Sequence, residues 1–97
     1  MAIRVFERVD EKSLIKELTL RGWKEGKFNG KQAMFKEFEA YLWVAVMEEC
    51  PYFLSLPKEE NSRVHSEGMK ELMKEVKELS HRLGFSLPVK PGGGYHV

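Results

Sequence analysis

The sequence predicts a mainly α fold: a three-helix bundle around a central hydrophobic helix, with one or two short peripheral strands. Three observations carry that prediction. Met34, Phe35, Phe38, Tyr41, Leu42, Ala45 and Val46 recur at the spacing of one helical stripe. Met69, Leu72, Val76, Leu79 and Leu83 alternate steps of three and four, as in a short heptad seam. Asp10 and Gly22 bracket a third helical segment with a good N-cap and a good C-terminal stop. The alternative is a small α+β domain in which Ile3–Val9 pairs with Tyr52–Leu56 or Phe85–Val89.

Taken in order, Ala2–Val9 alternates loosely and reads as a short strand. The first helix then covers about Glu11–Arg21, with Val9 and Leu14 as a hydrophobic staple and Leu14, Ile15 and Leu18 facing inward. Trp23–Phe28 is a connector. Asn29-Gly30 has two readings. As a type I′ turn it pairs Trp23–Phe28 with Lys31–Phe35. As a helix start, Asn29 caps and Gln32 closes a capping box, the reading preferred because the helical stripe begins directly afterwards.

The central helix is therefore expected over Gly30–Glu49, ended by Pro51. Its second half is unusual, because Trp43, Val44 and Met47 are apolar where a surface helix is polar. A strand over Tyr41–Met47 is the competing reading, since aromatic and β-branched residues favour strands. Residues 51–61 are expected to form a loop that folds Tyr52, Phe53, Leu54 and Leu56 back over the core. The third helix starts after Asn61 or Ser62 and stops at Gly84. Residues 1–89 thus form a single helical domain, and the Gly-rich segment 90–97 is expected to be a flexible tail.

Composition excludes several classes of function. The formal net charge is +1, so no global field draws the chain to nucleic acid or anionic membrane. The longest apolar run, Ala40–Met47, is far short of a membrane span, and the N-terminal residues lack a signal peptide's apolar core. Cys50 is the single cysteine, so no internal disulfide is possible and a cytoplasmic location is expected. The Glu- and Lys-rich composition resembles that of thermostable proteins.

Candidate chemistry is sparse. Cys50 ends an acidic helix, beside Glu48 and Glu49, where a thiolate is disfavoured. His65 and His81 sit ~160° apart around one helix, and no metal-ligand spacing exists, so no metal site and no cofactor are expected. Adjacent Glu48 and Glu49 do not converge as an acid–base pair does. No catalytic residues are assigned. The order helix, Gly22-Trp23, long aromatic helix loosely resembles pterin-carbinolamine dehydratases, which imply a His-His-Pro motif after that helix. Glu49-Cys50-Pro51 stands there instead, so the resemblance supplies no catalytic residues.

Two surfaces remain. Trp43, Val44 and Met47, with Tyr52 and Phe53, form the expected interface, pointing to a homodimer or a protein partner and to a non-catalytic interaction module. Trp23, Lys24, Lys27, Phe28 and Lys31 interleave aromatics with bases and form the candidate for anion, phosphate or single-stranded nucleic-acid binding within residues 23–36. A third option is a small enzyme whose site is assembled across a dimer interface from Glu48, Glu49 and His65.

Overall fold

The computed structural model describes residues 2–58 and 62–87, with the backbone alone for 62–67. The tail over 90–97 lies outside them. The chain runs β1 (Ala2–Arg4), α1 (Glu11–Leu20), β2 (Lys24–Phe28), β3 (Lys31–Phe38), β4 (Tyr41–Val46), β5 (Tyr52–Pro57) and α2 (Ser62–Leu83). The five strands form one antiparallel sheet in the order β1-β5-β4-β3-β2. Both helices supply side chains to the core on one face of that sheet.

This overturns the mainly α, three-helix expectation; the molecule is a sheet-rich α+β fold and not a helical bundle. The central helix does not exist. Its residues form β3 and β4, a hairpin whose register runs from Ala33↔Val46 to Phe38↔Tyr41. The physical reason lies at the two ends of β3. Asn29 and Gly30 both take positive φ, 52° and 79°, which is the type I′ geometry that matches strand twist. They therefore close a β2–β3 hairpin instead of capping a helix. At the other end Glu39, also at φ 52°, reverses the chain between Phe38 and Tyr41.

The expected lid over residues 51–61 is also corrected. Tyr52–Pro57 is a full strand, paired with β4 on one side and with β1 on the other. Ile3 faces Phe53 in that second pairing.

The two helices match their sequence signals closely. Asp10 caps α1 by accepting from the Ser13 backbone N–H at 3.0 Å and from its hydroxyl at 2.7 Å. Gly84, at φ 78°, follows the last turn of α2. The seam residues Met69, Leu72, Val76 and Leu79 are fully buried, but against the sheet and α1. Trp23, Met34, Tyr41, Trp43, Ala45 and Phe53 complete that core from the sheet side. The ring of Trp43 stacks on Phe38, with centroids 4.5 Å apart.

Candidate functional site: the open face of the sheet

Side chains of a strand alternate between faces, and paired residues share a face. The register therefore defines what lies opposite the helices. β4 sends Leu42, Val44 and Val46 there. β5 adds Leu56, Leu54 and Tyr52 across from them. β3 adds Ala33 and Phe35, and β2 adds Phe28. These residues form a second apolar cluster, which among the described residues includes none from a helix.

Ala33, Val44 and Val46 are fully buried by their neighbours, while Phe28, Phe35, Leu42, Tyr52, Leu54 and Leu56 remain half-buried. A single-layer antiparallel sheet usually turns polar residues to water on its outer face. β4 has none on either face, which is why its sequence shows no alternation. Phe35 fits closely here because β2 offers Gly26 beneath it. A Cβ on Gly26 would stand 2.7 Å from the Phe35 ring.

Charge is confined to the rim. Arg4 lies over the Tyr52 ring at 4.8 Å from its centroid. Lys24 pairs in register with Phe35 at the β2 edge. Lys31 is bonded to Glu48, which outweighs a small cost of desolvation and raises the Lys31 pKa. Lys58 reaches Glu37 at 3.1 Å. An apolar centre with a polar rim is the anatomy of a protein interface.

The five residues expected at an interface fall on two sides. Val44 and Tyr52 lie on the open face, whereas Trp43, Met47 and Phe53 pack with the helices. Reasoning from the sequence missed Phe35, Leu42, Leu54 and Leu56. The signal that could have found them is the alternation of Tyr52, Leu54 and Leu56 against Phe53 and Ser55.

The anion-binding candidates are likewise separated. Trp23 is buried, and its indole N–H donates to Glu75 Oε2 at 3.1 Å. Lys24 and Phe28 share the open face, while Lys27 belongs to the opposite face of β2. Around Trp23, Arg21 bonds Glu75 at 3.0 Å and Glu78 at 2.9 Å, and Lys36 donates to the Arg21 carbonyl at 2.9 Å. Burial works against the Arg21 charge, but Glu78 and Glu75 outweigh it and hold the guanidinium pKa above its usual value. The cluster ties the end of α1 to α2 and β3, and each of its charges meets an opposite one.

Glu48 and Glu49 line a shallow groove of about 440 Å³ with Arg8 and Asp10. Three of its four acids are already engaged: Glu49 by Arg8 at 2.8 Å, Glu48 by Lys31, and Asp10 by the α1 cap. The side chain of His65 is outside the described residues. Cys50 is exposed. Among the described residues no group of three His, Cys, Asp or Glu side chains is placed to hold a metal ion. No helix among them is long and apolar enough to cross a membrane. The chain matches no protein-family model, no curated protein and no solved structure.

Proposed function

We propose that this protein is a non-catalytic interaction module that works through the open face of its sheet. The supporting observation is the cluster of half-buried Phe28, Phe35, Leu42, Tyr52, Leu54 and Leu56 around a fully buried Val44. No helix among the described residues covers it. Leaving such a patch in water forfeits ~25 cal/mol for each Å² of apolar surface, so burial by a partner is favoured. The lone exposed thiol of Cys50 suits a reducing compartment, and a cytoplasmic location is part of the proposal.

The test is site-specific photo-cross-linking inside cells, with benzoyl-phenylalanine replacing Leu56 on the open face or Lys70 on the outer side of α2. The expected result is an intermolecular adduct from position 56 and none from position 70. Equal yields, no adduct, or a cross-link closing within one chain would sink the proposal.

A further inference from the structure

Resting on that reading, we infer that the occupant of the open face is a second copy of this chain, packed sheet against sheet with a two-fold axis passing over Val44. Size is the first argument. Five strands at ~4.8 Å spacing and strands of about six residues at ~3.3 Å each outline a face of roughly 500 Å². That outline ignores the relief of Phe35, Tyr52 and the leucines. A stable interface takes ~800 Å² from each partner, so this face supplies most of one and little is left for a larger, wrapping partner.

Shape is the second. The face spans five strands, roughly 20 Å across at ~4.8 Å spacing, which is wider than one ~10 Å helix or a single extended peptide. Another twisted sheet covers it, because two such sheets stack ~10 Å apart with their strands within about 30° of alignment. The copy carries a matching twist by construction. β4 is the central strand of the five, and Val44 lies at its middle. A two-fold axis along β4 over that point sets Leu42 against Leu42 and Phe35 against Leu54 of the other copy, the self-complementary contact that closed dimers use.

Charge is the third. A rim of one sign would repel its own copy. Here Lys31 is neutralised by Glu48 and Glu37 by Lys58 within each chain, and the whole chain carries only +1. Lys24 sits beside Phe35 on the β2 edge, level with Val44 across the sheet, and Arg4 lies on the β1 edge of the same face. An axis along β4 brings Lys24 of one copy to the β1 edge of the other, near Arg4, so these two exposed cations meet only at the rim, where solvent and salt screen them.

The experiment is sedimentation equilibrium of the full chain from ~1 µM to ~1 mM, spanning weak to moderate dissociation constants. The expected wild-type mass is twice the 11.3 kDa of one chain. The double variant Leu42→Lys/Leu56→Glu places opposite charges at a directly paired register position, where they support each other in the folded sheet. It is expected to keep the wild-type circular dichroism and to weaken the dimer at least ~100-fold, since both charges would be desolvated in the interface. If that pair unfolds the chain, Phe35→Lys is the second variant, with the same expectation for dimerisation. A wild type that stays at 11.3 kDa throughout, or folded variants that dimerise as well as the wild type, overturns the inference. A monomeric wild type that still gives a position-56 adduct of another mass leaves the interaction module standing and removes only the second copy. A monomer without any adduct removes both.

Discussion

Trp23 and Glu75 are joined by an indole-to-carboxylate hydrogen bond of 3.1 Å, and the same carboxylate receives Arg21 and Lys36. One acid on α2 thus holds the residue that leads into β2, the end of α1 and a side chain of β3. Glu78, 2.9 Å from Arg21, and Arg82, 3.4 Å from Glu17, add further polar links between α2 and the α1 region. The Glu75 side chain is 14% exposed and Arg21 19%, so solvent screens the pair only in part. Replacing Glu75 with Ala leaves the buried indole N–H without its acceptor, while Arg21 keeps Glu78 and Glu17 and Lys36 keeps the Arg21 carbonyl. The expected loss is about 2 kcal/mol, against about 1 kcal/mol for Glu75→Gln, which keeps an acceptor oxygen. Urea unfolding of both variants measures it.

Gly68 lies where α2 approaches the sheet most closely. A Cβ there would stand 2.5 Å from the Tyr41 ring and 2.6 Å from the Ser55 hydroxyl, both on the buried face. Alanine normally gains ~1 kcal/mol over glycine in a helix interior. Here the overlap is with a rigid aromatic ring held in the core, so α2 must lift or Tyr41 must leave its rotamer. Gly68→Ala is expected to destabilise by about 1–2 kcal/mol net, lowering Tm by ~5 °C or more. A rise in Tm by calorimetry would mean that the helix can shift freely.

Legibility from the sequence divides along the same boundary between helices and sheet. Asp10, Gly22 and Gly84 announce α1 and α2 because caps and stops are local, and the seam from Met69 to Leu79 shows which face of α2 is buried. β3 and β4 were hidden for two reasons. Both faces of β4 are apolar, so period-two alternation vanishes and Met34, Phe38, Tyr41 and Ala45 happen to satisfy a helical spacing. The reversal between them is also made by Glu39-Ala40, which carries none of the Gly, Asn or Asp that mark a turn. Of the candidate site, the excess of apolar surface near Val44 and Tyr52 was readable. Which side of the sheet it faced was not, because that depends on the β4–β5 register. A helix puts Trp43 beside Val44 on one broad surface, whereas a strand sends them to opposite ones.

The cap at the start of α1 makes stability depend on acid. The Ser13 hydroxyl, then its backbone N–H, lower the Asp10 pKa below the ordinary 3.8. A carboxylate with a depressed folded pKa stabilises at pH values above its unfolded pKa, and that contribution is lost as pH falls through the folded value. Asn is an equally good N-cap but does not titrate there. Asp10→Asn is therefore expected to match the wild type at neutral pH and to lose less stability than the wild type below pH 3.8. Thermal melts across the acid range decide it, and parallel curves would show that the cap carries no linked proton.

Glu39 is the remaining local conflict between sequence and fold. It holds φ 52° at the β3–β4 reversal, a left-handed backbone that costs an L-residue other than glycine about 1 kcal/mol. Asn29 holds the same φ at the β2–β3 turn, but Asn tolerates that region and Gly30 follows it. Glu39 makes no hydrogen bond or ion pair among the described residues, and its side chain is exposed. No side-chain partner among the described residues therefore offsets its strain. Glycine at this position removes the steric cost but adds conformational freedom to the unfolded chain, which returns part of the gain. The expected net effect of Glu39→Gly is a stabilisation of about 0.5 kcal/mol, with a larger gain for Glu39→Asn, which keeps a side chain and accepts the left-handed region. Denaturant midpoints at constant m-value measure both. Destabilisation by both variants would show that the Glu39 side chain carries an interaction of its own at that corner, and that the reversal is selected for it.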